Sequence, residues 1–542
     1  MKSLLAFGFA AALGLAAPAA LPPLRIAAAG PGFTNALTRT GGCWTDGRVA
    51  VTVGEDGRIA VRAPGVPLET VTLSADFAWP DGTRVLGDAW ERACGELGWR
   101  PVGEGDVFAP WYFLATAQGR SWGCGVEVQP AALAGWRIRR GGLDLVLDVS
   151  CGGEAVELAD RVLDAVRVVV HRGAAGEGAF AVGRELCRRM CPHPRLPREP
   201  VYGYNDWYCA YGRNTATNFL ADAEFALSCA RGLENRPFVV MDDGWQRNSP
   251  PQMARLGEPG ASGIGPWDAS GAHFGMDMPE FCARIRALGA KPGLWYRPLH
   301  AWPELPQDWR VPEDGRFLDP TVPGVRRMIA ADLARFRGWG VRLVKVDYLV
   351  YDLCRHWTRL HGERLIPRGT ATWRDRSRTT AEVVRSLYGE LRAAAGDEMV
   401  IIGCNAVNHL AAGLFEVQRI GNDVSGWKWD QTRSIGVNAL GFRMVQDGLF
   451  FSADGDCVGL AEAGAVPWEK NRQWLDLVAR SGSALFVSWR RALADDAFRA
   501  ALARAFAIAS RPRASGEPLD WTEGPFPARW RFADGEASYD WR

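Results

Sequence analysis

Residues 323–348 read PGVRRMIAADLARFRGWGVRLVKVDY, and this stretch decides the fold. Pro323 stands at the start of a helical pattern in which apolar residues recur at helical spacing from Val325 to Phe336. Gly340 ends that pattern, and a short strand-like segment, 343–346, which is apolar except for Lys345, follows closely. A helix that leads directly into a buried strand is typical of a parallel sheet covered by helices.

The same alternation of strands and helices extends over residues 200–511. Helical patterns also cover 219–231 and 277–288, and apolar strand segments begin near Val201, Pro237, Lys291, Arg342, Met399, Glu416, Leu449 and Ala484. Eight such strands predict a (β/α)₈ TIM barrel. A doubly wound open sheet is the structural alternative, but no glycine-rich phosphate loop follows any of these strands, which argues against a nucleotide-binding sheet.

The flanking regions predict two further β-structures. Residues 30–191 are strand-like, with a period-two hairpin over 49–62, and favour a β-sandwich domain. The proline-rich segment 192–200 marks the boundary with the barrel. Residues 512–542 are rich in tryptophan and predict a short C-terminal β-segment. The fold class is therefore multidomain α/β.

Composition excludes several classes of function. The 542 residues carry a net charge of +1, so no basic field favours nucleic acid or anionic lipid as a partner. The chain has seven His and twelve Cys but no HExxH or CxxC grouping, which predicts neither a catalytic metal nor another cofactor. The 24 Trp suit stacking against sugar rings as well as core packing.

Residues 1–20, MKSLLAFGFAAALGLAAPAA, have the pattern of a secretory signal peptide. A mispredicted start or a buried N-terminal strand are the alternatives. We expect a secreted or periplasmic protein, with a cytoplasmic location as the alternative. No later stretch is long and apolar enough to predict a membrane span, and the sequence leaves the oligomeric state open.

Two carboxylates lie at the ends of predicted strands, where the active residues of a barrel gather. In 343–347, Lys345 and Asp347 interrupt an apolar strand two residues apart and so share a face. We expect the ammonium of Lys345 to keep Asp347 ionised as a nucleophile. Arg419 and Asp423 follow another strand, and desolvation is expected to raise the pKa of Asp423 for service as an acid. The alternative for Lys345 and Asp347 is a structural ion pair, and the alternative for Asp423 is a helix N-cap.

Three other strand ends carry polar and aromatic residues. Asp242 and Asp243 follow one strand and can accept hydrogen bonds from two sugar hydroxyls or bind a divalent metal. Trp207 and Trp295 follow two others, where each can form a wall beneath a sugar or pack in the core.

The motifs DW (206–207), DDGW (242–245), KPGLW (291–295), KVD (345–347) and RIGND (419–423) stand in this order, each at a strand end. Together they resemble the α-galactosidase (melibiase) clan, glycoside hydrolase families 27 and 36. The resemblance implies a retaining exo-α-galactosidase with Asp347 as nucleophile and Asp423 as general acid/base. It further implies sugar contacts from Asp242 and Asp243 to the 4- and 6-hydroxyls, from Lys345 and Arg419 to ring hydroxyls, and from Trp207 and Trp295 along the pocket wall.

The sequence departs from the family pattern in three places, one of which is a C-terminal β-region that is short compared with usual family members. Family 36 members carry a Cys followed by glycines after the fifth strand, whereas this chain has Asn405 after Cys404. The resemblance implies that this region faces the 2-substituent of the sugar, so both galactose and N-acetylgalactosamine remain open. Asp454 and Asp456 add two carboxylates after the seventh strand with no assigned role. Trp427 and Trp429 are candidates for the leaving-group subsite or for core packing.

Four alternative functions share these residues. An α-N-acetylgalactosaminidase and a transglycosylase similar to raffinose synthases would use the same two carboxylates. An inactive carbohydrate-binding protein would use only the pocket. A metal-dependent hydrolase would instead use Asp242, Asp243, Asp454 and Asp456.

Overall fold

A computed structural model describes residues 23–247, 263–357, 364–460 and 465–542. The predicted signal peptide, residues 1–20, lies outside these described residues. The described chain forms a large antiparallel sheet, a closed parallel barrel and a small C-terminal sheet, in that order. The multidomain α/β fold predicted from the sequence is therefore confirmed.

The N-terminal antiparallel strands of the described chain form one continuous sheet, in the order β8-β7-β10-β11-β14-β5-β4-β3-β2-β1-β6-β13-β12-β9. Their bounds are β1 Arg25–Gly30, β2 Phe33–Thr40, β3 Cys43–Thr45, β4 Ala50–Val53, β5 Arg58–Arg62, β6 Thr70–Asp76, β7 Arg84–Gly87, β8 Arg100–Pro101, β9 Val107–Pro110, β10 Tyr112–Ala117, β11 Arg120–Val126, β12 Leu133–Arg139, β13 Gly142–Asp148 and β14 Leu163–Arg172. The sheet bends until its two ends face each other: Phe113 of β10 packs edge-on against Trp136 of β12, with ring centroids 5.7 Å apart. The bent sheet is thus the two-layered sandwich that the alternating sequence pattern predicted.

Eight parallel strands close the barrel in the order β15-β16-β17-β20-β21-β22-β23-β24, and β18 pairs separately with β19. The bounds are β15 Tyr202–Asn205, β16 Phe238–Met241, β17 Lys291–Tyr296, β18 Arg310–Val311, β19 Asp314–Leu318, β20 Leu343–Val346, β21 Val400–Gly403, β22 Val417–Arg419, β23 Ser452–Leu460 and β24 Ala484–Trp489. Each barrel strand begins within three residues of its predicted start. The strands are almost wholly buried because helices cover the barrel from outside.

The helices of the described chain are α1 Ala179–Met190, α2 Trp207–Ala210, α3 Ala216–Cys229, α4 Met278–Leu288, α5 Pro323–Trp339, α6 Leu349–Cys354, α7 Thr380–Ala395, α8 Asn408–Ala411, α9 Trp429–Gln431, α10 Asn438–Arg443, α11 Trp468–Ser481 and α12 Asp496–Ala509. A π-helical turn, Thr432–Val437, joins α9 to α10, and 3₁₀ turns occur at Ala272–Phe274, Gln307–Trp309 and Arg491–Leu493. Helix α5 begins at Pro323 and ends before Gly340, whose φ of +86° suits only glycine without strain. Its buried face reaches Phe336, as the spacing predicted.

The C-terminal residues form a three-stranded antiparallel sheet, with β25 Glu517–Pro518, β26 Arg529–Phe532 and β27 Gly535–Ser538. Trp530 and Trp541 each donate their indole N–H to the carbonyl of Pro527, at 2.9 and 2.8 Å. None of the described helices combines the length and apolarity needed to cross a bilayer.

Candidate active site

A cavity of about 280 Å³ opens at the C-terminal ends of the barrel strands. Its size lies close to the lower end of the range for small-ligand pockets, which is roughly 300–1,000 Å³. Its described lining combines carboxylates, cations, amides and aromatic rings: Arg92, Trp207, Tyr208, Asp242, Asp243, Trp295, Lys345, Asp347, Tyr348, Trp357, Cys404, Asn405, Arg419, Asn422, Asp423 and Gln431. The nine site residues predicted from the sequence therefore all face one cavity.

Asp347, directly after β20, is surrounded by neutral hydrogen-bond donors. Its Oδ1 accepts from the backbone N–H of Tyr348 at 2.7 Å and from Nδ2 of Asn405 at 2.6 Å. Its Oδ2 accepts from Nε1 of Trp295 at 2.9 Å. These three donors fix the orientation of the carboxylate.

Lys345 contacts a different carboxylate from the one that the sequence suggested. Its Nζ lies 2.7 Å from Oδ2 of Asp242, at the end of β16, and that same oxygen accepts from Nδ2 of Asn205 at 2.7 Å. The expected pairing of Lys345 with Asp347 is therefore wrong for the direct contact. Side chains at the ends of all eight barrel strands point into the same mouth. Lys345 therefore contacts Asp242, on another strand, and not Asp347, which shares its own strand face.

Asp243 is 5% exposed and accepts from Nε2 of Gln246 at 2.7 Å. Burial raises the pKa of Asp243 to about 6, although the bond from Gln246 opposes this rise. The backbone N–H of Asp243 donates to Oδ1 of Asp242 at 3.0 Å. Consequently the two adjacent carboxylates differ: Asp242 is paired with an ammonium, whereas Asp243 accepts from the neutral amide of Gln246.

Asp423 lies on the opposite side of the cavity, and its side chain is 48% exposed. Its Oδ1 accepts from Nη2 of Arg419 at 3.0 Å and from Nη1 of Arg92 at 3.4 Å. Desolvation in the cavity favours a higher pKa for Asp423, but the charges of Arg419, Arg92 and Lys345 outweigh it and hold the pKa below the ordinary carboxyl value. The raised pKa expected from the sequence is therefore wrong, because Arg419 and a second cation that was not foreseen, Arg92, together outweigh desolvation.

Arg92 belongs to a loop of the N-terminal domain, residues 88–98, which we call the docking loop. The loop lies along the segment that carries Asp423: the N–H of Ala93 donates to the carbonyl of Ile420 at 2.9 Å, and the N–H of Asn422 donates to the carbonyl of Ala93 at 2.8 Å. Buried Asp88 anchors the start of the loop to Arg443, at 2.7 Å. Sequence reasoning missed this contribution, since the loop has no periodicity; its only signal is a group of charged residues between strands.

The two unassigned carboxylates, Asp454 and Asp456 of β23, lie beneath the cavity rather than in its lining. Asp456 is 4% exposed and contacts Arg419 and Tyr208, while Oδ1 of Asp454 accepts from the N–H of Asp456 at 2.9 Å. Burial raises the pKa of Asp456 to about 6 against the lowering effect of Arg419. In the described part of the chain, no three His, Cys, Asp or Glu side chains are grouped as metal ligands.

The tryptophans occupy different surroundings. Trp207 is partly exposed in the cavity wall, whereas Trp295 is buried and contributes its indole N–H to Asp347. Trp427 donates to Tyr211 Oη at 2.6 Å, outside the cavity lining. Trp429 packs near Trp541 of the C-terminal segment, with ring centroids 6.2 Å apart, which favours the core-packing alternative for this residue.

The fold and the site define a class of protein: a (β/α)₈ barrel with an N-terminal β-sandwich and a small, carboxylate-rich pocket to which both domains contribute. No protein-family model matches the sequence, and no curated protein matches it at significant similarity. Solved structures do match. The α-galactosidase of Thermus thermophilus has a TM-score of 0.61 and 17% identity, over 91% of this chain and 97% of that one.

Two further α-galactosidases show the same architecture. The family 36 enzyme AgaA of Geobacillus stearothermophilus matches with a TM-score of 0.57 and 15% identity, over 94% of this chain and 77% of that one. The enzyme of Lactobacillus brevis matches with a TM-score of 0.55 and 11% identity, over 90% and 70% of the two chains. The structural neighbours are thus α-galactosidases, and the resemblance inferred from the motifs is confirmed at the level of the fold.

Proposed function

We propose that this chain is a retaining exo-α-galactosidase. The observation that carries the proposal is that Asp347 and Asp423, on different strand ends, face one small cavity that Asp242 and Asp243 also line. A pair of carboxylates with unequal surroundings is what double displacement at an anomeric carbon requires. The proposal gains support from neighbours with this fold, since the Thermus enzyme was solved with p-nitrophenyl α-D-galactopyranoside and with stachyose.

Asp347 serves as the nucleophile in this proposal. Its carboxylate attacks the anomeric carbon while a proton from Asp423 moves to the departing glycosidic oxygen, giving a β-linked glycosyl-enzyme and a free alcohol. Oδ2 of Asp347 has a single donor, Trp295, whereas Oδ1 has two, so Oδ2 is the better placed oxygen for attack. Asp423 then accepts a proton from water as the water attacks, and the product retains the α-configuration.

Asp423 needs a proton before it can act as the acid. Its carboxylate is half-exposed, and two arginines favour the ionised form. A bound sugar displaces the water that solvates this carboxylate, which raises its pKa. The general acid is thus prepared by binding of the substrate.

Asp242 and Asp243 select the sugar in this proposal. Galactose has an axial 4-hydroxyl, and a buried carboxylate that accepts a hydrogen bond from that group loses this donor when glucose binds. Discrimination through lost polar partners reaches about 10⁴-fold in favourable cases. Galactose is therefore the favoured glycon.

The test is a panel of 4-nitrophenyl α- and β-glycosides, with the anomeric configuration of the first product followed by NMR. We expect cleavage of the α-galactoside, release of α-galactose first, and much slower reaction of the α-glucoside. Equal rates on both α-glycosides, or β-galactose as the first product, contradict the proposal. Preference for the α-N-acetylgalactosaminide would replace galactose with its 2-acetamido relative.

A further inference from the structure

One nitrogen of Arg419 contacts two carboxylates. Its Nη2 lies 3.0 Å from Oδ1 of Asp423 and 2.6 Å from Oδ2 of Asp456. Arg419 is 2% exposed and ends β22, while Asp456 lies on the neighbouring strand β23. The guanidinium charge is therefore shared between a carboxylate that faces the cavity and one that is buried behind it.

Asp456 also fixes the backbone next to Asp423. Its Oδ2 accepts from the N–H of Val424 at 2.6 Å and from the hydroxyl of Tyr208. Asp456 itself has a φ of +71°, a left-handed conformation that residues other than glycine adopt rarely, and its N–H is held by Asp454. Such outliers persist where the surrounding contacts over-determine them, which is common at functional sites.

We propose that Asp456 is a positioning residue for Asp423: it neutralises part of the charge of Arg419 and thereby allows Asp423 to hold a proton. The inference rests on the proposed function, in which Asp423 is the general acid. Two anionic groups on one guanidinium nitrogen compete for the same charge, so ionisation of either one weakens the hold of Arg419 on the other.

The balance of charge around this pair decides the direction of the effect. The titratable or charged groups of the described chain that face it come from six parts of the fold: Arg92 of the docking loop, Tyr208 of α2 with Tyr211 directly after it, Lys345 of β20, Cys404 after β21, Arg419 of β22, and Asp454 and Cys457 of β23. Three of these are cations that favour ionised Asp423. When the charge of Asp456 is removed, Asp423 is the remaining anionic partner of Arg419 Nη2, so the pKa of Asp423 falls further.

The experiment compares wild type with Asp456→Asn in the full-length chain. We expect the alkaline limb of the pH profile of kcat, which reports the acid in the substrate complex, to move to lower pH by about one unit. At neutral pH, the variant should lose about tenfold more rate on a galactoside with an unactivated alkyl leaving group than on the 4-nitrophenyl galactoside, because only the former needs the acid.

Asp332→Asn is the matched control. Asp332 is also buried and accepts from a tyrosine, Tyr296, at 3.0 Å and from an arginine, Arg335, but it lies on α5 away from the cavity lining. It should leave the pH limb and the leaving-group ratio unchanged. If Asp456 has only a structural role, Asp456→Asn lowers the rates on the alkyl and the 4-nitrophenyl galactoside equally and leaves the alkaline limb of the pH profile unmoved. This result overturns the inference.

Tyr208→Phe provides a second variant if Asp456→Asn does not fold. Loss of the hydroxyl donor favours protonated Asp456, so the limb should move in the same direction by a smaller amount. An unmoved limb, or a shift to higher pH, overturns the inference alone. Wild-type protein that cleaves no glycoside overturns the proposed function and the inference with it.

Discussion

Nη1 of Arg92, in the N-terminal domain, lies 3.4 Å from Oδ1 of Asp423, at the mouth of the barrel. The contact is fixed by backbone bonds on both sides of Ala93, which tie the docking loop to the segment 420–422. The guanidinium also lies 5.0 Å from the ring centroid of Trp357. The charge next to Asp423 is therefore set by two domains, so the sandwich takes part in building the site.

Arg92→Gln should raise the pKa of Asp423, because one of its two direct cationic partners is lost. We expect the alkaline limb of the pH profile of kcat to move to higher pH, the opposite direction to Asp456→Asn. The pH profiles of both variants, measured on one galactoside, check this. Arg161→Gln is the control, since it breaks another contact between the domains, with Glu382 at 2.6 Å, away from the cavity. Identical shifts in both arginine variants contradict the prediction.

Asp347→Ala should lose activity on every substrate, since no covalent intermediate can form without the nucleophile. Asp423→Ala should lose most activity on substrates with poor leaving groups, by a factor of about 10²–10⁴. On an activated aryl galactoside it should accumulate glycosyl-enzyme. Intact-mass measurement followed by peptide mapping should place that sugar on Asp347, and a label on any other residue contradicts the assignment.

Azide should restore turnover of Asp423→Ala on the aryl galactoside, because this anion attacks without a general base. The expected product is an α-glycosyl azide, since a second inversion at the anomeric carbon returns the original configuration. NMR of the isolated azide gives the configuration. A β-glycosyl azide means that the two carboxylates have other roles.

Asn405→Ala removes a donor 2.6 Å from Oδ1 of Asp347. We expect kcat to fall on every galactoside, by about tenfold, because the nucleophile loses a hydrogen bond that fixes its orientation. Asn471→Ala is the control for removal of a buried amide, since Asn471 also donates one bond, to the carbonyl of Gly459 at 3.0 Å. If Asn405→Ala instead changes only the preference between galactoside and N-acetylgalactosaminide, the residue acts at the 2-substituent.

The affinity for galactose should fall between pH 7 and pH 5. Burial raises the pKa of Asp243 to about 6, so the carboxylate takes up a proton in this range and accepts fewer bonds from sugar hydroxyls. Calorimetric titration with galactose checks this in wild type and in Asp243→Asn, whose affinity should be weaker and flat over the same range. Asp332→Asn should keep the wild-type dependence, since the pKa of Asp332 is also about 6 but the residue lies outside the cavity lining. Flat wild-type affinity contradicts the role given to Asp243.

The barrel could be predicted from the sequence because its signals are local. Pro323 and Gly340 bound a helix whose buried face follows directly from spacing, and the strand after it is apolar throughout except for Lys345. Carboxylates placed directly after such strands converge in a barrel whatever their separation along the chain. The positions of Asp242, Asp347 and Asp423 along the chain therefore suffice to place all three at one mouth.

The partners of these carboxylates were decided only by the tertiary structure. Lys345 shares a strand face with Asp347 yet bonds to Asp242, and Asp423 shares Arg419 with Asp456, which had no assigned role. These pairings depend on the closure of the barrel, which fixes distances between residues that are far apart in sequence.

The contact of Arg92 with Asp423 could not be predicted from the sequence. The two residues are 331 positions apart, and Arg92 lies in a loop without periodicity. Spacing along a chain determines which faces of helices and strands are apolar, because that property is local. The charge felt by one carboxylate depends instead on every cation within a few ångströms. The sequence alone thus determined the barrel and the carboxylates at its mouth. The closure of the barrel and the packing of the sandwich on it decided which cations, Arg419, Arg92 and Lys345, act on Asp423.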